Sequence, residues 1–367
     1  MSRPPPIRRF GGWLAGFRTS HIHYGWLALT FIIGLAGAAA FLLGRLPLPW
    51  MLGPMVLAMI IALAGAPLTM PQSVRSPMLV VLGVMVGSSA TPELVSHVPQ
   101  WIAPLLGLVL VLVVGTLAGY LYFHKIARYD RATSYYASVP GGLTEMILLS
   151  EENGGDHRLV ALSHAVRITL VVLCVPFLVQ LLSGTNLGAR QPAGVPIMQL
   201  PLEHILWFIG TFLAGTFLAT FIRSTTALFL APMLLSALLH GTGVTDFAIP
   251  REAGVLAQLI VGLSLGARFY GMRLRAVGGS LLWAVGACVL LVGIALVVAL
   301  LMQTLTGEAL ISLFLAYAPG GVAEMSLIAI ALHIDVAFVV LHHLTRLMLV
   351  TLFAGRIFRI AHVQGDS

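Results

Sequence analysis

Long apolar runs separated by short polar segments recur along the whole 367-residue chain. Most of them approach or exceed the roughly 20 residues that a helix needs to cross the hydrocarbon core of a bilayer. Backbone groups in lipid must be satisfied within the segment, which favours helices. The pattern therefore predicts an all-α integral membrane protein with about ten transmembrane helices. The predicted spans lie near residues 24–43, 47–66, 77–90, 101–123, 158–183, 204–222, 226–241, 252–267, 277–303 and 335–358.

Two further apolar segments, at about 130–150 and 308–333, contain Pro-Gly-Gly and acidic residues, which a helix exposed to lipid does not tolerate. Proline removes a backbone donor and fixes φ, while glycine permits positive φ and close approach of the backbone. We expect each segment to be broken or re-entrant. A short helix is predicted to begin at about Leu143 and another at about Val322, each with unpaired amides at its start.

The chain also repeats itself. Pro140-Gly141-Gly142-Leu143-Thr144-Glu145-Met146 matches Pro319-Gly320-Gly321-Val322-Ala323-Glu324-Met325, an offset of 179 residues. The same offset relates Asp156 to Asp335, His164 to His343 and Arg167 to Arg346, and weaker matches extend upstream. The predicted organisation is a basic N-terminal tail at 1–23, membrane repeat 1 at 24–185, a linker at 186–203, membrane repeat 2 at 204–360 and a tail at 361–367.

The distribution of positive charge indicates that the two repeats have opposite orientations in the membrane. In repeat 1 the loop at 91–100 lacks Lys and Arg, whereas the next loop carries Lys125, Arg128 and Arg131. In repeat 2 the order is reversed, because Arg268, Arg273 and Arg275 lie on the first of the corresponding loops and 304–310 has none. Since Lys and Arg mark cytoplasmic loops, we predict two inverted-topology repeats with both termini cytoplasmic.

Composition excludes a soluble protein, because 59% of the residues are hydrophobic and only 9% are charged, against about 25% charged in ordinary domains. The net charge is +7, and the basic residues lie between the apolar runs instead of clustering on one face. We therefore interpret them as charge at the membrane surface and expect no nucleic-acid partner. Cys174 and Cys288 lie within apolar runs and lack metal or redox spacing. The first helix is expected to remain uncleaved.

Inverted repeats with discontinuous helices are typical of secondary transporters, in which substrate and ion sites lie near the midplane where half-helices end. The candidate binding residues therefore belong to the two motifs and to the helix that follows each motif. They are Pro140, Gly141, Gly142, Glu145, His164, Arg167, Pro319, Gly320, Gly321, Glu324, His343 and Arg346.

The acidic residues have both a structural and a functional interpretation, and the sequence leaves both open. Glu145 and Glu324 fall in the first turn of the predicted short helices, where a carboxylate either caps free amides or binds a proton or sodium ion. Asp156 and Asp335 precede the next helices, where an N-terminal cap is the default interpretation.

The basic residues are equally ambiguous. His164 and Arg167 share one face of an apolar helix, as do His343 and Arg346, and that face must point away from lipid. Each arginine suits recognition of a carboxylate substrate, or an internal ion pair with the glutamate of its own repeat. Each histidine suits core packing, ligand binding or proton relay.

Enzyme motifs are not supported. Gly262-Leu263-Ser264-Leu265-Gly266 matches G-x-S-x-G but lies in an apolar span, where this spacing is a contact between helices. No H-E-x-x-H, P-loop or dinucleotide-binding turn occurs in a suitable place. We expect no catalytic residues, no metal site and no cofactor.

The paired Pro-Gly-Gly-x-x-Glu-Met motifs, each followed by His-x-x-Arg, resemble the AbrB family of bacterial inner-membrane proteins, which is defined by a duplicated domain. The resemblance spans roughly residues 25–360 and implies a multi-pass protein of the bacterial inner (plasma) membrane. Members have been labelled ammonia monooxygenases and regulators of gene expression. A monooxygenase needs a copper or iron site, for which the sequence has no compact ligand cluster. A transcription factor needs a soluble DNA-reading module, for which no hydrophilic stretch is long enough.

The leading hypothesis is secondary transport of a small solute coupled to H⁺ or Na⁺, and the favoured class of solute is an organic anion. One alternative is a membrane sensor that regulates gene expression indirectly, and another is a membrane monooxygenase. The expected partners are a small-molecule or ion substrate and the lipid bilayer. The sequence leaves open whether the chain forms a homodimer.

Overall fold

The computed structural model describes residues 24–93, 98–184, 188, 192–221, 226–272, 274–332 and 334–363. Within these ranges the chain is helical, and one isolated bridge joins Val195 and Pro250 without forming a strand. The predicted tail at 1–23 and Arg273 lie outside the described residues, as do parts of the predicted linker and C-terminal tail.

Seven α-helices in the first half of the described chain are followed by seven in the second half, in a corresponding order. The first seven are α1 (Tyr24–Leu43), α2 (Pro49–Leu63), α3 (Gln72–Gly87), α4 (Ile102–Leu121), α5 (Arg131–Ser138), α6 (Leu143–Glu152) and α7 (His157–Ser183). The second seven are α8 (Leu202–Ala219), α9 (Ala227–Gly241), α10 (Arg251–Ala267), α11 (Leu274–Thr306), α12 (Leu310–Tyr317), α13 (Val322–Leu332) and α14 (Val336–Val363). A π-helical turn, Tyr122–Ile126, continues α4.

Six of these helices are long and apolar enough to cross a membrane, namely α1, α4, α7, α8, α11 and α14. The helices α2, α3, α9 and α10 have 15, 16, 15 and 17 residues. At 1.5 Å per residue, 15 residues cover only about 23 Å of a hydrocarbon core of about 30 Å. An all-helical fold with several candidate membrane-spanning helices is thus confirmed, whereas the ten spans and the opposite orientations of the repeats stay predictions.

The chain divides into two compact units, and each unit takes helices from both halves. Unit 1 contains α1–α3 and α8–α10, together with 330–336. Unit 2 contains α4–α7, α11, α12, most of α13, and α14. All twelve candidate binding residues belong to unit 2.

Helices of unit 1 pack at glycines. A Cβ built on Gly266 of α10 would lie 2.8 Å from the Cβ of Ala58 in α2, and Gly262 lies against the Met51 carbonyl. Ser264 between them donates its hydroxyl to the Ile260 carbonyl of its own helix at 2.8 Å. The G-x-S-x-G pattern is therefore a helix contact, as the sequence indicates.

Aromatic residues hold α5 against α14 in unit 2. The Tyr136 ring packs on Phe358 with centroids 5.1 Å apart, and the Tyr135 hydroxyl donates to the Ala354 carbonyl at 2.9 Å. These contacts join the first broken segment to the last helix of the second half.

Candidate functional site

Both Pro-Gly-Gly motifs interrupt a helix at the predicted position. Residues 140–142 separate α5 from α6, and 319–321 separate α12 from α13, so the second half-helices begin at Leu143 and Val322 as predicted. The two breaks have the same backbone turn. The Gly141 amide donates to the Val139 carbonyl at 2.9 Å, and the Gly320 amide donates to the Ala318 carbonyl at 2.8 Å.

The first broken segment, α5 and α6, forms a helical hairpin. Asp130 caps the start of α5 by accepting from the Thr133 backbone amide at 2.8 Å. The Thr133 hydroxyl in turn accepts from the backbone amide of Asp156, at the start of α7, at 2.7 Å. The side-chain amide of Asn153, just after α6, donates to the Tyr136 hydroxyl at 3.1 Å. The start of α5 and the end of α6 therefore lie at the same end of unit 2.

Gly141 is needed for space, and none of the break glycines is needed for positive φ. The described residues with positive φ do not include any glycine of the two motifs. A Cβ on Gly141 would lie 2.7 Å from Val350 Cγ1 of α14, a contact that real Cβ atoms do not make, so a larger residue would push the packed helix away. A Cβ on Gly320 would lie 2.8 Å from Cε of Met325, the flexible end of a side chain that can move aside.

His164 and Arg167 bind the end of α5. The His164 Nε2 donates to the Tyr136 carbonyl at 2.9 Å, and Arg167 Nη1 donates to the Val139 carbonyl at 3.4 Å. Arg167 Nη2 donates to His164 Nδ1 at 3.1 Å. Because Nδ1 accepts while Nε2 donates, His164 is the neutral tautomer with its proton on Nε2.

The second copy repeats the two contacts with backbone carbonyls, with the offset of 179 residues. His343 Nε2 donates to the Leu315 carbonyl at 3.0 Å, and Arg346 Nη1 donates to the Ala318 carbonyl at 2.7 Å. Arg346 Nη2 also donates to the Gly320 carbonyl. The repeated His-x-x-Arg pattern is thus a repeated pair of contacts with backbone carbonyls.

These contacts give the arginines a clear physical role. The last carbonyls of a helix lack partners within the helix, and the C-terminal end carries partial negative charge. Arg167 and Arg346 are 4% and 7% exposed and supply both donors and positive charge at the ends of α5 and α12. The described contacts of both guanidinium groups are with carbonyls and a histidine. Among the described residues, neither arginine forms the ion pair with Glu145 or Glu324 that was one of the two alternatives left open by the sequence.

The two glutamates have different surroundings. Both are half-buried and lie in the first turn of their half-helix, as predicted. Glu145 accepts a hydrogen bond at 3.0 Å from the Thr351 hydroxyl of α14, whereas the Glu324 carboxylate lies beside Gly321. Sequence comparison of the halves misses Thr351, because the residue at the corresponding position is Val172.

A small cavity joins the two breaks within unit 2. Its volume is about 10 Å³, room for about one water molecule. Pro140, Pro319, Tyr317 and Arg346 line it, and its other lining residues are Gly115 and apolar side chains. Arg167 and Arg346 are also close enough to repel each other electrostatically. The two interrupted helices therefore face each other across one site.

Comparison with known proteins gives a family match over most of the chain. The family model described as "Transition state regulatory protein AbrB" matches residues 50–362, a range that includes both motifs and both His-Arg pairs. The chain is 26% identical over 356 residues to "Uncharacterized protein YhjN" of Bacillus subtilis (strain 168), covering 90% of this chain and 92% of the relative. It is 24% identical over 336 residues to "Putative regulator AbrB" of Escherichia coli (strain K12), covering 89% and 94%.

Proposed function

The chain belongs to the AbrB family, and from that premise we propose that it is a secondary transporter of a small organic anion, coupled to H⁺ or Na⁺, in the bacterial inner membrane. The observation that carries this proposal is the meeting of two interrupted helices at one cavity beside Arg346. Transporters use such helix ends as ion and substrate sites because irregular backbone at membrane depth is tolerated only where it lines a cavity or is buried in protein.

The proposed architecture is a pair of inverted repeats. The seven helices of one half recur in order in the other, and the reversed charge of the loops favours opposite orientations. Alternating access requires elements that move as bodies. The two compact units, each built from both halves, are the candidates for those bodies.

The charges at each break favour an anion whose binding is coupled to a cation. A helix contributes about +0.5 charge at its N-terminus and about −0.5 at its C-terminus. At each break these contributions cancel, which leaves the positive charge of one arginine and the carboxyl group of one glutamate. When a proton or sodium ion neutralises Glu145 or Glu324, one positive charge is left for the solute.

A flux measurement tests the coupling. The solute is first found by screening carboxylates and amines for thermal stabilisation of the purified protein, since a ligand at 100 times its Kd stabilises by about 2.7 kcal/mol. In proteoliposomes, Glu145→Gln and Glu324→Gln are then expected to lower gradient-driven flux at least about tenfold, a loss of about 1.4 kcal/mol. Glu203→Gln is the matched control, because Glu203 is exposed in the first turn of α8. Wild-type flux in both break variants would leave the glutamates as structural caps and remove the proposed coupling.

A membrane sensor that affects gene expression indirectly is the second candidate. It is favoured by the name of the Escherichia coli relative, "Putative regulator AbrB". A sensor binds the same solute without moving it. Thermal stabilisation by a solute that shows no flux under any imposed proton or sodium gradient would therefore favour the sensor over the transporter.

A further inference from the structure

A groove runs along unit 2 between α4 and α14, with α5 as its floor. Its volume is about 670 Å³, and most of its lining is aliphatic or aromatic. One stripe of α4, from Val109 to Tyr120, forms one wall, and the stripe of α14 from Leu349 to Phe358 forms the other. Tyr135 of α5 lies beneath them.

The length of the apolar wall matches one leaflet of a bilayer. The twelve residues from Val109 to Tyr120 span eleven steps of about 1.5 Å, or about 17 Å along α4. One leaflet occupies half of a hydrocarbon core of about 30 Å. A single acyl chain therefore fits along this wall from end to end.

The groove becomes polar and basic at one end. His124 and Arg131 complete its lining there. The His124 ring stacks on Tyr120 with centroids 5.4 Å apart, and its Nδ1 lies 3.0 Å from the Tyr129 carbonyl oxygen. Tyrosine is common at the interface between lipid and water. Further exposed basic side chains are Lys125 and Arg128, between α4 and α5, and Arg356 and Arg359, on α14.

Basic residues outnumber acidic ones at this end. The chain segments at this end carry the acidic residues Asp130, Glu151, Glu152 and Asp156, against the basic residues Lys125, Arg128, Arg131, Arg158, Arg356 and Arg359. The Asp130 carboxylate is engaged by the Thr133 amide and hydroxyl. Arg131 occupies the first position of α5, where a cation opposes the helix dipole. Its charge therefore does not stabilise α5, and replacing it should leave the fold intact.

We infer that this groove binds one anionic phospholipid, with an acyl chain along the wall of α4 and α14 and the phosphate at Arg131 and His124. Basic pockets between membrane helices suit anionic headgroups, and each basic residue near the surface contributes about 1 kcal/mol. The apolar length, the tyrosine at its end and the excess of positive charge all fit this occupant.

Lipid binding can be measured on the full-length protein in detergent by native mass spectrometry. Phosphatidylglycerol and phosphatidylcholine with identical acyl chains are titrated separately. We expect one phosphatidylglycerol to bind at least about fivefold more tightly than phosphatidylcholine, which corresponds to about 1 kcal/mol. Equal affinities for the two lipids would overturn the proposal.

Two tryptophan variants test the location. Val113 lines the groove and is 60% exposed, whereas the neighbouring Val114 is 40% exposed and does not line it. Val113→Trp should fill the groove and abolish the first lipid-binding event, while Val114→Trp should retain it. Equal effects of the two variants, or no effect of Val113→Trp, would refute the location. Conversion of a dimer into monomers by Val113→Trp with lipid binding unchanged would assign the groove to a second copy of the chain.

A charge variant tests the headgroup contact. Arg131→Gln should weaken phosphatidylglycerol binding about fivefold and leave phosphatidylcholine unaffected, as expected for the loss of about 1 kcal/mol. Arg158→Gln removes the same charge from an exposed position on α7 that does not line the groove, so it should change neither affinity. An equal loss in both variants would mean that the lipid responds to overall charge and not to this site.

Discussion

Replacing Arg346 by glutamine tests whether the buried guanidinium is a structural cap of α12 or a ligand for the solute. The side chain is 7% exposed and donates to the carbonyls of Ala318 and Gly320. Glutamine is too short to reach both acceptors and carries no charge. The substitution therefore removes the guanidinium donors from both carbonyls, although the Ala318 carbonyl keeps the Gly320 amide as a donor.

The expected magnitude follows from those two contacts. Loss of the guanidinium donor should cost about 1–3 kcal/mol at the Gly320 carbonyl, and the charge-assisted bond to the Ala318 carbonyl contributes about 1.5–3 kcal/mol, so Arg346→Gln should destabilise the protein by about 2.5–6 kcal/mol. Arg167 makes a single, longer carbonyl contact at 3.4 Å and shares its other amino group with His164. Arg167→Gln should therefore cost less, about 1–3 kcal/mol. Arg346→Lys keeps the positive charge but has a single donor nitrogen, so its stability should lie between those of the wild type and Arg346→Gln.

Thermal melting of the purified protein in detergent measures these differences. At about 2 °C per kcal/mol for larger domains, Arg346→Gln should lower the melting temperature by at least about 4 °C. Arg356→Gln is the matched control, because Arg356 is an exposed arginine of the same helix. If Arg346→Gln melts like this control yet loses stabilisation by the solute, the arginine binds solute and the capping argument fails.

Two further predictions concern packing and orientation. Gly141→Ala should destabilise the protein by about 1–3 kcal/mol, because its Cβ would lie 2.7 Å from Val350 Cγ1. Gly142→Ala should be tolerated, because the nearest atom to its Cβ would lie at 3.7 Å. Equal melting temperatures of the two variants would contradict this. In a background lacking the native cysteines, Lys125→Cys and Arg268→Cys should react with an impermeant thiol reagent from the same side of the membrane, since inverted repeats place both loops inside; labelling from opposite sides would exclude the inverted topology.

Local chain chemistry explains why the breaks could be predicted from the sequence. Proline followed by two glycines ends a helix whatever packs around it, so the starts of α6 at Leu143 and α13 at Val322 follow from the motifs themselves. The apolar runs likewise predict helices at every proposed span. The predicted spans at 226–241 and 252–267 agree with α9 and α10, whereas α2 ends at Leu63, before the predicted residue 66, and α3 begins at Gln72, before the predicted residue 77.

The partners of the arginines could not be predicted for a different reason. Sequence reasoning pairs a buried cation with a carboxylate, and Glu145 and Glu324 are the nearest candidates in the motif. The acceptors are instead the backbone carbonyls of Val139 and Ala318, and every residue carries such a group. Side-chain identity at these positions therefore holds no signal for the contact. Only the shape of the broken helix determines which carbonyls are left unpaired.

The two glutamates have different side-chain surroundings although the backbone around them is duplicated. His-x-x-Arg contacts the same carbonyl positions in both copies, so the backbone of each break is held alike. The side chains around the carboxylates differ, because Thr351 donates to Glu145 and the second copy has Val172 at the matching position. Because the Thr351 hydroxyl already engages the Glu145 carboxylate, we expect the cation of the proposed coupling to bind mainly at Glu324. Glu324→Gln should then alter the cation dependence of flux more than Glu145→Gln.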